Sequence, residues 1–128
     1  MKKQIFILLF VPLALFGQEN NLYFIEDSNF LAYLNENYPE TILNDSLNID
    51  ATYGINHLQL NNLGLFNIDG IQFFHDLTYL NCDFNQLSSL PLLPELLTDL
   101  WCKNNQLSSL PELPEGLITL WCSHNEIS

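Results

Sequence analysis

The fold is decided by a stretch that is written twice in succession. Residues 77–96 read LTYLNCDFNQLSSLPLLPEL and residues 97–116 read LTDLWCKNNQLSSLPELPEG, with fourteen of twenty positions identical. A third copy, LITLWCSHNEIS, occupies residues 117–128, and a more divergent coil of 22 residues precedes them at residues 55–76. A fixed period of this length is typical of a solenoid, in which each repeat is one coil stacked on its neighbours. The sequence therefore predicts about four coils over residues 55–128, the last incomplete.

Each coil begins with a short alternation of inward and outward residues. Leu80 and Cys82 alternate with Tyr79, Asn81 and Asp83, which is typical of a strand with one buried face. The same inward pair recurs as Leu58 with Leu60, Leu100 with Cys102, and Leu120 with Cys122. One strand per coil, always in one direction, predicts a short parallel sheet, which we expect on the concave side.

The rest of each coil predicts an extended return wall. Proline cannot donate a backbone hydrogen bond and favours polyproline geometry, and the 20-residue coils place it at Pro91, Pro94, Pro111 and Pro114. Asparagines form their own column at Asn85, Asn105 and Asn125, with Leu63 in the first coil. We expect these amides to bond the backbone groups of neighbouring turns.

The repeat L-x-x-L-x-C-x-x-N-x-L-x-x-L-P resembles that of leucine-rich repeat proteins. The 20-residue form is similar to the short bacterial class found in secreted effectors, and the 22-residue coil to an internalin-type repeat. IEDSNFLAYL, residues 25–34, resembles the cap of exported bacterial surface proteins of this kind. The resemblance covers about residues 25–128. It implies an α/β leucine-rich repeat solenoid with an N-terminal capping helix, acting as a non-enzymatic binding module.

The residues before the repeats predict one helix and a run of turns. Asp27 and Ser28 are good helix caps, Phe30 and Leu34 follow at helical spacing, and Pro39 ends the segment. We expect a helix over about residues 28–37, covering the first coil. Residues 40–54 are rich in turn formers and predict capping turns. Residues 18–54 thus form an N-terminal segment with a capping helix.

Residues 1–17 predict a secretory signal peptide. A short basic start, Lys2 and Lys3, precedes an apolar run from Ile5 to Phe16 that is about half the ~20 residues a spanning helix needs. An uncleaved anchor is the alternative. We therefore expect a secreted or cell-surface protein with no membrane insertion after cleavage. From Gln18 onward Lys103 alone opposes 15 Asp and Glu, a net charge of −14, which excludes nucleic acid as a reasonable partner.

No pattern in the chain predicts catalysis, a metal site or a cofactor. Cys82, Cys102 and Cys122 lack CxxC spacing, so zinc is not indicated. They predict a ladder of buried thiols, with disulfides between adjacent strands as the alternative. No serine or cysteine is placed as a partner for a histidine, and we expect no enzyme activity.

The outward strand positions form the candidate site. One column contains Gln59, Asn81, Trp101 and Trp121, and a second contains His57, Tyr79, Asp99 and Thr119. A third adds Asp83 and Lys103, flanked by His124. Tryptophan and tyrosine are frequent binding anchors, although cross-strand aromatic pairs also stabilise sheets by themselves. We therefore expect either a protein- or glycan-binding face or a stacked aromatic column without a ligand.

The last coil predicts an apolar edge. Leu117, Leu120, Cys122 and Ile127 would lie beside unpaired backbone groups, and such edges favour association. We expect a fragment of a longer protein, with further repeats and a sorting domain as the resemblance implies, or self-association through this coil. Three functions follow: a binding module, a structural or adhesive spacer, and the recognition domain of a secreted effector.

Overall fold

The computed structural model describes residues 21–128, and the signal peptide predicted for residues 1–17 lies outside them. The described chain has an α/β repeat fold with one α-helix and two sheets. The elements in chain order are β1 (Leu22–Phe24), α1 (Ser28–Asn37), β2 (Ile42–Leu43), β3 (Ser46–Asn48), β4 (His57–Gln59), β5 (Tyr79–Asn81), β6 (Asp99–Trp101) and β7 (Thr119–Trp121). Short 3₁₀ turns lie at Pro39–Thr41, Ile49–Ala51 and Ile71–Phe73.

The four strands of the repeats form one parallel sheet in the order β4-β5-β6-β7. The register places Leu58, Leu80, Leu100 and Leu120 opposite one another in succession. It also places Trp101 opposite Trp121 and His57 opposite Tyr79. The predicted alignment of equivalent strand residues in columns is therefore confirmed.

The core is a continuous stack of inward leucines and cysteines. Leu58, Leu80 and Leu100 are fully buried, as are Cys82 and Cys102, and full burial of such a side chain contributes roughly 1.5–3 kcal/mol. Leu87 and Leu107 close the core from the return side of the coil. Leu120 lines up with the stack but is 37% exposed, since it packs on a neighbouring coil on one side only.

The asparagine column joins adjacent coils. The Asn105 side-chain amide donates to the carbonyls of Cys82 and Cys102 at 3.0 and 3.2 Å, and its oxygen accepts the Leu87 N–H at 3.0 Å. Asn85 and Asn125 bond their neighbours in the same way. The prediction that these amides satisfy turn backbone is confirmed.

Helix α1 packs on the first coil, and its predicted bounds of residues 28–37 are confirmed. Phe30 and Leu34 are fully buried in the common core. Two tyrosines of the helical region bond the outer edge of β4: the Tyr38 hydroxyl donates to the His57 carbonyl at 3.0 Å, and the Gln59 N–H donates to the Tyr33 hydroxyl at 3.3 Å. Burial raises the pKa of Tyr33, so this hydroxyl stays protonated at neutral pH.

Residues 40–54 contain more order than the predicted turns. β2 and β3 form an antiparallel hairpin, and β1 pairs with the other side of β3. Leu47 of β3 is fully buried in the core, whereas Asn44 and Asp45 make the tight turn with φ of 52° and 57°. The N-terminal segment is therefore a small sheet plus a helix.

The return segments differ between the first coil and the later ones. The first coil contains the 3₁₀ turn Ile71–Phe73, whereas residues 86–95 and 106–115 contain no helix or strand. This agrees with the prediction that the proline-rich return is not helical. Across residues 21–128, no helix is both long enough and apolar enough to cross a membrane.

Candidate binding site

Each strand of the parallel sheet ends in the same turn. Three residues after each strand the backbone is left-handed, with φ of 58° at Asn62, Phe84 and Asn104 and 59° at His124. The N–H of each of the first three donates to the coil that follows, for example Phe84 to the Lys103 carbonyl at 2.9 Å. The turn fixes where each outward side chain leaves the strand. The side of β4–β7 that faces away from the leucine core is called the outer face below.

Four aromatic side chains cross the outer face in a continuous line. We call this line the aromatic row. It contains His57, Tyr79, Trp101 and Trp121. The His57 and Tyr79 rings are stacked at 4.2 Å with an interplanar angle of 2°. The Tyr79 and Trp101 centroids lie 6.1 Å apart, and those of Trp101 and Trp121 lie 5.9 Å apart. Because Tyr79 contacts Trp101 diagonally, the row passes from one column of outward residues to the other.

The aromatic row is accessible to solvent. Trp121 is 50% exposed, His57 is exposed, and Tyr79 and Trp101 are half-buried. The Trp101 indole N–H is buried and finds no acceptor among the described residues. A buried donor without a partner costs about 1–3 kcal/mol, so Trp101 is held by its ring contacts rather than by hydrogen bonding.

Lys103 lies over the two indoles. Its Nζ is 5.7 Å from the Trp101 ring centroid and 5.1 Å from that of Trp121. The same Nζ is 4.0 Å from Asp83 Oδ2, and the Lys103 backbone N–H donates to Asp83 Oδ1 at 2.6 Å. The ammonium is therefore surrounded by two aromatic faces and one carboxylate.

Asn81 and Asp83 are less accessible than the sequence predicted. Both were expected on the open outer face, but they are only 7% and 4% exposed. Asn81 Oδ1 accepts the Asp83 N–H at 2.9 Å, so both side chains bond backbone of the strand ends. Alternation identifies which side of a strand a residue faces, but it does not show whether neighbouring residues cover it.

The remaining predicted residues lie around the aromatic row. Gln59 and His124 are exposed, and Thr119 is half-buried. The Thr98 hydroxyl donates to Asp99 Oδ2 at 2.8 Å. Hydrogen bonds from the Thr119 and Thr98 hydroxyls lower the pKa of Asp99, so this carboxylate is charged at neutral pH. The outer face thus combines aromatic rings with fixed carboxylates.

The cysteines form a ladder of free thiols. Cys82 and Cys102 are buried and Cys122 is half-buried. Burial raises the pKa of Cys102 to about 12, with the neighbouring Cys122 adding to the effect, and burial raises the pKa of Cys82 well above its usual value. Since the thiolate is the reactive form, neither buried thiol is a nucleophile at neutral pH. Within residues 21–128, no group of three or more His, Cys, Asp or Glu side chains could hold a metal ion.

The return segments contain a groove that the sequence did not predict. Leu92, Leu93 and Leu113 line it together with Glu95, Glu112 and Glu115. Leu92 is 72% exposed. The signal in the sequence was a leucine at the position where the next coil has Glu112, between two prolines.

Comparison with known proteins gives a limited result. No protein-family model matches the chain, and no curated protein matches it. Six solved chains match it, among them the Shigella effector LRR domain, with 32% sequence identity and a TM-score of 0.45. The match covers 56% of this chain and 41% of that one. The chain is thus similar to part of that domain and spans less than half of its length.

Proposed function

We propose that this chain is a leucine-rich repeat solenoid that works as a non-enzymatic, protein-binding module. The ligand contacts the outer face, with Tyr79, Trp101 and Trp121 as anchors and Asp99 as a polar contact. Gln59, Thr119 and His124 lie at the margin of the same face. The observation that carries the proposal is the aromatic row, because large aromatic rings left accessible on a rigid surface are typical binding anchors.

The sheet presents these anchors with little freedom to move. β4 to β7 are joined by parallel hydrogen bonding in one register, and the asparagine column locks each turn to the next. A preorganised surface loses less conformational entropy on binding. This favours recognition by the sheet itself over recognition by a mobile loop.

A protein ligand is favoured over a glycan. A sugar ring stacks flat on an open aromatic face. Successive rings from Tyr79 to Trp121 are tilted by 49° and 39°. The tilt leaves no coplanar platform from Tyr79 to Trp121, whereas an irregular protein surface can fit it.

The covered edge of the first coil supports a capping role for α1. The helical region bonds the free edge of β4 through Tyr33 and Tyr38, and its apolar side fills the core through Phe30 and Leu34. A solenoid needs such a cover at its terminal coil.

We further propose a proline-rich, extended convex wall on the side of the coils opposite the parallel sheet.

Export belongs to the same proposal. The basic start and apolar run of residues 1–17 support secretion or a cell-surface location of a bacterial protein. Amino-terminal sequencing of the exported chain would start at Gln18 if the signal peptide is cleaved, and at Met1 if it is not.

Binding can be tested with the immobilised protein and extracts of surface and secreted proteins. A captured partner is purified and titrated by tryptophan fluorescence or calorimetry. We expect Trp121→Ala to weaken binding at least about tenfold, as expected for an anchor residue. The Trp101→Ala, Trp121→Ala double variant should abolish binding. Leu92→Ala, which truncates a side chain in a return segment that is 72% exposed, against 50% for Trp121, should bind like the parent.

A structural spacer is the second candidate function. It is supported by the ring contacts within the row, since aromatic pairs contribute about 0.5–1.5 kcal/mol to stability without any ligand. If the double tryptophan variant is less stable but retains full affinity for every captured partner, the row is a structural feature and the binding proposal is wrong. A recognition domain of a secreted effector would instead bind a partner from host cells. Comparing capture from host-cell extracts with capture from surface and secreted proteins distinguishes this function.

A further inference from the structure

We propose that Trp101, Trp121 and Asp83 form a cage for an ammonium group, which Lys103 fills in the free protein and a lysine side chain of a basic partner fills in the complex. The inference rests on the proposed protein-binding function and names the chemistry of the partner. In the free protein, Lys103 thus occupies the position that the ligand's lysine takes in the complex.

The cage is defined by the position of the Lys103 ammonium. Nζ lies 5.7 and 5.1 Å from the two indole centroids, within the ~6 Å at which a cation is attracted to an aromatic face. The third wall is Asp83, whose side chain is 6% exposed. Two indoles and a carboxylate are the groups that recognise an organic cation.

Asp83 is positioned independently of the ammonium. Its Oδ1 accepts the Lys103 backbone N–H at 2.6 Å, a bond that any residue at position 103 except proline would make. Its Oδ2 accepts no hydrogen bond from residues 21–128 and lies 4.0 Å from Nζ. This distance exceeds a hydrogen bond, so the carboxylate has an unused acceptor for a better-placed ammonium.

Lys103 is held weakly enough to be replaced. Its side chain is 27% exposed, and cation–π contacts and ion pairs at such exposed sites are individually weak. When Lys103 swings into solvent, the cage becomes free for a second cation. Because only the open fraction of molecules can bind, self-occupation lowers the apparent affinity.

The charge of the chain favours a cationic partner. Lys103 is the only lysine or arginine after Lys3, whereas the chain contains 15 Asp and Glu. A basic segment is therefore attracted to the surface before it reaches the cage. An acidic partner would be repelled.

The test uses the pentapeptide Gly-Gly-Lys-Gly-Gly, blocked at both ends, and its Nε-acetyl-lysine counterpart. Binding is followed by NMR through the indole N–H signals of Trp101 and Trp121. We expect Lys103→Met, which keeps an apolar stem but removes the ammonium, to bind the lysine peptide about five- to tenfold more tightly than the parent. The acetylated peptide should bind neither protein. Equal affinity of the parent and Lys103→Met, or equal binding of both peptides, would overturn the proposal.

Two controls separate the cage from general electrostatic attraction. Asn35→Asp changes the net charge by the same single unit at an exposed position of α1. The helical region lies against β4, whereas the cage lies at β6 and β7 on the other side of the sheet order. The change should leave peptide affinity within about twofold of the parent, since salt screens the interaction of separated surface charges. Adding Trp121→Ala to Lys103→Met should remove the gain in affinity. A tighter complex in Asn35→Asp, or a retained gain without Trp121, contradicts the cage.

The outcome also distinguishes this inference from the proposed function. If the peptide does not discriminate the variants but Trp121→Ala still weakens binding of the captured partner, the cage is wrong and the binding face stands. If Trp121→Ala leaves binding of the captured partner unchanged, the proposed function itself fails.

Discussion

Phe84 occupies a backbone conformation that its side chain disfavours. The equivalent positions in the other coils are Asn62, Asn104 and His124, all left-handed. Asparagine and histidine are enriched in this region, whereas it costs most other L-residues roughly 1–2 kcal/mol. The Phe84 side chain is 54% exposed, so burial offsets little of this cost.

We expect Phe84→Asn to raise the free energy of unfolding by about 1 kcal/mol, because it removes most of the left-handed penalty. Urea denaturation followed by circular dichroism measures the change. Asn104→Phe, the reverse change one coil later, should be destabilising by a similar amount. A Phe84→Asn protein that is less stable than the parent would show that the phenyl ring packs more favourably than its exposure indicates.

At the scale of single residues, the alternation of residues along each strand predicted well which side of the sheet a residue faces. It predicted poorly how exposed that residue is. It placed Tyr79, Trp101 and Trp121 on the outer side of the sheet, where they lie. It did not predict the burial of Asn81 and Asp83, because coverage depends on the size and rotamers of residues on adjacent strands. The position of the Lys103 ammonium could not be predicted either, because it depends on side-chain rotamers on adjacent strands.

Asp27 joins the helix to the first coil. One carboxylate oxygen accepts the N–H groups of Asn29 and Phe30 at the start of α1, and the other accepts those of Phe66 and Asn67 at 2.7 and 3.1 Å. Asp27 is 1% exposed. Its four hydrogen bonds make it both the helix N-cap and the link between two elements.

We expect Asp27→Ala to destabilise the protein by about 3 kcal/mol, since a lost N-cap costs about 0.5–2 kcal/mol and unpaired buried donors add to it. Thermal unfolding measures the effect. Asp27→Ser keeps a capping oxygen for the helix but cannot reach both partners, so its stability should lie between those of the parent and Asp27→Ala. Equal stability of the Ser and Asp proteins would mean that the bonds to Phe66 and Asn67 contribute nothing.

Among the elements, length decided what the sequence could predict. α1 spans ten residues and has a cap, an apolar side and a following proline, so its bounds were predictable. β1, β2 and β3 contain only three, two and three residues. Such strands are too short to show a period of two, and their pairing depends on contacts between distant segments. The 3₁₀ turn of the first coil follows Gly70, which has φ of 121° and lies against the Ile25 side chain. No local pattern indicates this contact.

Across the whole molecule, each coil bonds the next in the same way. The Cys82 N–H donates to the Trp101 carbonyl at 2.7 Å, and the Cys102 N–H donates to the Trp121 carbonyl at 2.8 Å. From the second coil onward, the left-handed turn and the asparagine repeat every 20 residues. A later coil can therefore take the place of the one before it without a change of bonding pattern.

We expect a protein lacking residues 97–116 to fold, with β7 pairing directly on β5. Its free energy of unfolding should be lower than that of the parent, because repeat stabilities and interfaces add approximately. Circular dichroism and denaturant unfolding check both points. Deletion of only residues 97–106, half a coil, removes β6 but leaves a return segment without its strand, so it should lower the free energy of unfolding more than deletion of the whole coil. If both deletions unfold alike, the coils are not equivalent units.

The stacking of the coils was more predictable than single elements or side chains, because the repeat shows the same pattern of strand, turn and return several times. Fourteen identical positions between residues 77–96 and 97–116 determine strand, turn and return together. The groove at Leu92 and Leu113 escaped prediction because it forms between two coils. Of its lining residues, only Leu92 and Glu112 occupy a position at which the two repeats differ.

The placement of Lys103 beside Asp83 has a kinetic consequence. Lys103 is the only lysine or arginine after Lys3, and its ammonium lies beside Asp83. The other Asp and Glu side chains therefore give the surface a negative potential. Encounters with a basic molecule should accelerate as ionic strength falls, since long-range attraction is screened beyond about 10 Å at 0.1 M salt. Dissociation, which is governed by short-range contacts, should respond much less. The association rate is thus set by the overall negative charge, whereas the dissociation rate is set by the contacts at the binding face.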